Sequence, residues 1–126
     1  MTRQLRLTVS ARADILNILD RSEVEFGVAV RTRYERLIAT ALRDLAEAPE
    51  RPGSAARPEL GDDLRTWHLR GSRERARGPD GIVRRPRHLM LYTIVDDRTV
   101  GVLRVLHDVM ELQRHLEWNE DDTSAG

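Results

Sequence analysis

The spacing of apolar residues switches from two to between three and four and back to two along the chain, which divides it into elements. Leu5, Leu7 and Val9 alternate with Arg6 and Thr8, the period of a half-buried strand. Ser10 suits a helix N-cap, and Ala11, Ile15, Ile18, Leu19 and Ser22 follow at helical spacing up to a break at Gly27. A second helix is predicted from about Val28 to Ala48, with Tyr34, Leu37, Ile38, Ala41, Leu42 and Leu45 in one stripe and Pro49 as its stop. Only the Gly27 region lies between the two, so they must fold back as an antiparallel hairpin.

The period then returns to two. The turn-rich stretch from Pro49 to Asp63 reads as a surface loop, and Leu64 to Arg70 as a strand with Trp67 and Leu69 on one face and Thr66 and His68 on the other. From Arg87 to Val95 both faces are apolar, Leu89, Leu91 and Val95 against Met90, Tyr92 and Ile94, as in a central strand covered on both sides. A polar turn at Asp96-Asp97-Arg98 leads into a strand from Val100 to Leu106. A short helix is predicted next, with Val109, Leu112 and Leu116 facing inward. The predicted fold is α+β: an N-terminal strand, a helix hairpin, a three-stranded antiparallel meander and a short C-terminal helix, with the helices on one face of a small sheet. Residues 1–118 form one domain on this reading, and residues 119–126 a disordered acidic tail.

Composition narrows the chemistry. No cysteine occurs, which excludes disulfides, thiolate nucleophiles and cysteine-ligated zinc. The four histidines, His68, His88, His107 and His115, have no metal-ligand spacing, so neither metal nor cofactor is expected. All 21 basic residues are arginine, which removes lysine as a base or Schiff-base former. Twenty-one acids balance them to zero net charge, which disfavours nucleic acid as a direct partner. With no apolar leader and no run of about 18 apolar residues, the protein is expected in the cytoplasm.

The balance is uneven. Between Leu64 and Arg104 stand Arg65, Arg70, Arg73, Arg75, Arg77, Arg84, Arg85, Arg87, Arg98 and Arg104 against Glu74, Asp80, Asp96 and Asp97. After Val105 the sign inverts, with Asp108, Glu111, Glu117, Glu120, Asp121 and Asp122 against Arg114. Such asymmetry fits either a docking face or a tail that screens the basic region in the free protein. The segment Gly71 to Gly81 reads as a mobile basic loop. Arg104 calls for a carboxylate such as Asp14 or Asp108, with Val102 and Leu106 flanking it on its own face. Trp67 and Tyr92 read as core.

The order His88-x-x-x-Tyr92, hairpin, Arg104-Val105-Leu106-His107, short helix resembles the RelE/ParE superfamily of bacterial toxins, and within it the ParE branch. Ser10, Ala13 and Asp14 at the entry to the first helix and Pro52-Gly53 after the second are similar too. The resemblance implies the toxin of a type II toxin-antitoxin system, held inactive in a hetero-oligomer by a cognate antitoxin encoded by an adjacent gene. It implies DNA gyrase as the target, poisoned rather than chemically modified. Arg65, Arg70, Arg73, Arg75, Arg77, Arg104 and His107 are the candidate target-binding residues. Val24, Phe26 and Val30, the less regular apolar residues of the hairpin, and Tyr34 are the antitoxin candidates.

Two alternatives stand beside this reading: a RelE-like ribosome-dependent nuclease that cuts messenger RNA, and a non-toxic interaction domain of the same fold. A nuclease needs a base for the ribose 2′-hydroxyl and cations for the charged phosphorane, for which His107, Arg87 and Arg65 are the candidates. Against it, the RelE-like groove carries lysines, absent here, and Leu89 stands where that pattern has a strand arginine. Arg104 and His107 are three residues apart and so point to opposite faces of a strand. No enzyme activity is therefore expected.

Overall fold

The computed structural model describes residues 2–108. Five strands form one sheet in the order β1-β5-β4-β3-β2, from β1 (Gln4–Leu7), β2 (Ala55–Ala56), β3 (Leu64–His68), β4 (His88–Ile94) and β5 (Thr99–His107). β1 runs parallel to β5, and the other neighbours are antiparallel. Helices α1 (Val9–Phe26) and α2 (Val28–Glu47) are the predicted hairpin. The predicted helix with Val109, Leu112 and Leu116, and the tail from residue 119, lie outside the described residues.

α1 starts at Val9, not after Ser10. Thr8 is its N-cap: the hydroxyl oxygen accepts from the Ala11 amide at 3.0 Å while the hydroxyl donates to the Leu103 carbonyl at 2.7 Å. One side chain thereby starts the helix and ties it to β5, which Ser10 is not placed to do. Val9, at 86% exposure, belongs to the helix and not to the strand alternation. Gly27 alone links the helices. Its φ of 97° is open to glycine at little cost, and its amide closes α1 on the Glu23 carbonyl. Arg31 then clamps the hairpin from α2 through Asp20 at 3.0 Å and Glu23 at 3.5 Å.

The main core lies between the hairpin and the sheet. Leu19, Tyr34, Leu37, Ile38, Ala41 and Leu45 meet Trp67, Leu69, Met90, Tyr92, Val100, Val102 and Val105. On the other face Leu60, Leu89, Leu91 and Leu106 cluster with Leu64 and Leu103. β4 is thus covered on both sides, whereas Val95 falls beyond its end and is exposed.

Three further sequence expectations need correction. The Pro49 to Asp63 stretch is not all loop, because Ala55–Ala56 pairs with Arg65 and Thr66 and adds an edge strand. The register of β4 against β5 shifts between Leu91, which pairs with Arg104, and Tyr92, which pairs with Val102. This bulge inserts Leu103 and puts Val102 and Leu106 on opposite faces, so they do not flank Arg104 together.

The third correction concerns the Gly71 to Gly81 segment, which is packed against α2. Leu69–Ser72 form a 3-10 turn, and Ser72 and Ala76 are buried. Asp44 on α2, itself buried, accepts from the Ser72 hydroxyl at 2.6 Å and from the Arg75 guanidinium at 2.7–3.0 Å, with Arg51 at 3.3 Å. The Trp67 indole donates to the same Ser72 oxygen at 2.9 Å. Gly71 lies so close to that ring that a Cβ would meet it at 2.4 Å.

Candidate functional site

A groove of about 840 Å³ runs between the helix hairpin, the 83–88 segment and the end of β5. Its apolar floor comes from Ile18, Phe26, Val30, Val83 and Val105. Arg21, Arg84, Arg85 and Arg87 line it with positive charge, against Asp14 and Glu25. The helical periodicity of α1 puts Asp14, Asn17, Ile18 and Arg21 along one side. Pro86, buried and without an amide to donate, follows the bend at Arg84-Arg85 and precedes Arg87 on the opposite side.

Tyr34, His88 and His107 close one end. The Tyr34 hydroxyl accepts from the Arg87 amide at 3.2 Å and lies 2.8 Å from His88 Nδ1. Burial pushes the tyrosine up to about 12. Burial, assisted by the neighbouring His107, pushes His88 down to about 4. Both are neutral at pH 7, and the direction of the Tyr34–His88 hydrogen bond follows the histidine tautomer. The His88 ring meets Tyr34 and His107 edge to face, each at 5.6 Å between centroids.

Asp108 joins this end to β3. Its amide donates to the Arg87 carbonyl at 2.8 Å, and its carboxylate takes a 3.0 Å bond with His68 Nε2 and lies 3.5 Å from Arg87 and 3.6 Å from His107. Burial disfavours the carboxylate, yet the His68 bond and the fields of Arg87 and His107 outweigh it and hold the group below its usual range. Among the described residues no group of three histidines or acids is placed to hold a metal ion.

The structure gathers some of the sequence candidates and scatters others. Phe26, at 67% exposure, and Val30 and Tyr34 line the groove, whereas Val24, at 85%, does not. His107 and Arg87 line it; Arg65 sits in a separate depression with Glu50, Asp63 and Ile94, donating to the Ser54 hydroxyl at 2.8 Å. Arg75 is committed to Asp44, Arg77 pairs with Glu74, and Arg73 donates to the Arg84 carbonyl at 2.8 Å, bracing the groove wall from behind. Arg70 is exposed on the 3-10 turn. Arg104 holds Asp14 through two bonds at 2.7 and 3.0 Å, and Asp14 also accepts from the Val105 amide at 2.9 Å, covering the edge of β5 beyond the end of β1.

Arg21 and His88 line the groove without being among the sequence candidates for it. Arg84 and Arg85 were visible only as part of the basic middle. The available signal was the run Val83-Arg84-Arg85-Pro86-Arg87-His88, four polar residues interrupted by a proline directly before the central strand.

The sequence pattern of the family described as the ParE toxin of the type II toxin-antitoxin system parDE matches residues 5–112. Among solved structures, the fold is similar to one of the chromosomal ParDE system from P. aeruginosa, with a TM-score of 0.60 at 18% identity, covering 84% of this chain and 96% of that one. It is also similar to one of the toxin-antitoxin complex RelBE2 from Mycobacterium tuberculosis, with a TM-score of 0.50 at 25% identity, covering 85% and 99%. No curated protein matches the chain.

Proposed function

Because the chain belongs to the ParE toxin family of type II toxin-antitoxin systems, we propose that it poisons DNA gyrase without cutting nucleic acid itself, and that a cognate antitoxin neutralises it by laying a segment along the groove. The family membership supports the target. The groove supports the mode of neutralisation: an apolar floor edged with arginine suits a segment with an apolar face and acidic flanks.

The observation that carries the non-catalytic reading is the separation of Arg65 from the other two nuclease candidates, His107 and Arg87. Arg65 pairs with Tyr92 and His107 with His88, four residues apart along β4. At about 3.3 Å per residue that is about 13 Å, and Arg65 opens onto a depression apart from the groove that His107 and Arg87 line.

Purified protein is expected to trap gyrase on cleaved plasmid DNA and to leave ribosome-bound messenger intact. Unimpaired supercoiling with excess folded protein overturns the target; codon-specific messenger cleavage that is lost in His107→Ala overturns the non-catalytic reading. For the antitoxin, Phe26→Ala is expected to weaken binding by about 1–2 kcal/mol, as truncation of an aromatic anchor does. A loss below about 0.5 kcal/mol in both Phe26→Ala and Tyr34→Ala places the antitoxin elsewhere.

A further inference from the structure

The groove holds more positive charge than its own structure uses. Arg21 on α1 and Arg84 and Arg85 on the opposite wall have no carboxylate within ion-pair distance among the described residues, and Arg87 reaches Asp108 at 3.5 Å with 56% of its side chain exposed. Of the two acids in the lining, Asp14 is taken by Arg104 and the Val105 amide, which leaves Glu25. Guanidinium groups lining one groove repel one another and favour an anion of several charges. Beside them stands Phe26. It is the only phenylalanine of the chain, and it is 67% exposed where Trp67, Tyr34 and Tyr92 are buried. Five residues along α1 separate it from Arg21, about 7.5 Å at about 1.5 Å per residue.

We propose that the groove binds a nucleoside polyphosphate, with the base stacked on Phe26 and the phosphates held by Arg21, Arg84 and Arg85. Arginine suits phosphate because its planar fork offers two parallel N–H bonds to the oxygens and never loses its charge. An exposed aromatic ring offers a face on which a base stacks. The spacing of Phe26 and Arg21 is on the scale of the span from base to phosphate chain in a nucleotide. The volume of about 840 Å³ lies within the range of small-ligand sites, about 300–1,000 Å³. A free nucleotide fits better than a nucleic-acid strand, because a strand needs a continuing track of phosphate contacts and this chain, with zero net charge, has its unpaired cations gathered in one groove. The ligand is held unchanged, and it draws on the same arginines as an acidic partner segment, so the two exclude one another. The site itself stands on the groove's charge and its exposed ring, without the antitoxin reading.

Calorimetric titration of the full-length protein with ATP, tripolyphosphate and adenosine separates the two halves of the site. ATP is expected to bind about 5- to 150-fold more tightly than tripolyphosphate, the worth of one stacked base, with adenosine the weakest of the three. Phe26→Ala should bring ATP down to the tripolyphosphate level without moving tripolyphosphate itself. Arg84→Ala together with Arg85→Ala should weaken both polyphosphates by about 10-fold or more, as loss of a charge-assisted bond does. Arg65→Ala, in the separate depression, should leave all three unchanged. In the unaltered protein, ATP should shift the amide signals of Arg21, Phe26, Arg84 and Arg85, a readout that does not depend on how the variants fold. Absence of saturable binding at about 1 mM ATP, equal affinity for ATP and tripolyphosphate, or shifts centred on Arg65 each overturns the proposal. A short single-stranded oligonucleotide that binds the groove more tightly than ATP overturns it too. No antitoxin enters these measurements, so their failure is separate from that of the neutralisation reading.

Discussion

His88 shows how one half-buried ring couples the groove to solution pH. Burial pushes it down to about 4, whereas an unfolded histidine titrates near 6.5. As pH falls below about 6.5 the unfolded chain takes up a proton that the folded chain refuses. Stability contributed by this group is therefore present above that pH and is lost progressively down to about pH 4, by up to about 3 kcal/mol. His88→Asn, whose amide oxygen can take the Tyr34 hydroxyl, is expected to flatten this part of the stability curve measured by urea unfolding. An unchanged slope between pH 6.5 and 4 contradicts the assignment. Asp44 works in the same direction, in a lower pH window. Burial opposes its charge, but the Arg75 and Ser72 bonds and the Arg51 field hold its folded pKa below the usual range. Its contribution is full above the unfolded carboxylate value of about 3.9 and disappears as pH falls through the folded one. Asp44→Ala is expected to cost about 2–3 kcal/mol at neutral pH, since it strands the buried Ser72 hydroxyl and removes the anchor of the 71–81 segment.

At the scale of elements, strong periodicity was readable and pairwise partnership was not. The hairpin stood out because α2 carries its stripe from Tyr34 to Leu45 and a single glycine separates it from α1. β4 stood out because both its faces are apolar. β2 was invisible, since two alanines make no period and the strand exists only through its pairing with β3. The bulge at Leu103 was equally hidden: alternation through Val102, Arg104 and Leu106 is a regular strand on paper, and the shift arises from register against β4. The 71–81 segment misled because its polarity is that of a solvated loop. A carboxylate at Asp44, beside Leu45 on the buried side of α2, was the clue that something basic had to pack there. Thr8 gives a test at this scale. Thr8→Ala removes the cap of α1 and its bond to β5 together, and is expected to destabilise by about 1–2 kcal/mol in thermal or urea unfolding, while Thr8→Ser recovers most of it. Ser10→Ala should leave stability within about 0.5 kcal/mol, as a surface substitution does.

For the whole molecule, zero net charge conceals a polar arrangement. The arginines predicted to form one docking face are divided between structural bonds, as in Arg75 and Arg104, and positions away from the groove, as in Arg65. The positive field at the groove comes instead from Arg21 on α1 and from Arg84, Arg85 and Arg87 ahead of β4, residues brought together by the packing of the hairpin over the sheet. Sequence therefore gave the sign of the middle of the chain but not the surface that displays it. Rim charges and floor contacts act on different kinetic steps. Exposed rim charges steer encounter and are screened by salt, whereas desolvated apolar anchors set the lifetime of a complex. Arg84→Ala together with Arg85→Ala is thus expected to slow association of the antitoxin several-fold at low ionic strength and to flatten its salt dependence, with dissociation little changed. Phe26→Ala is expected to do the reverse, leaving association and its salt slope nearly intact while raising the dissociation rate about 5- to 30-fold, the equivalent of about 1–2 kcal/mol. Surface-based association kinetics across a salt series separate the two. If the arginine pair alters only dissociation, the rim contacts the bound segment directly instead of steering it, and the division between floor and rim fails.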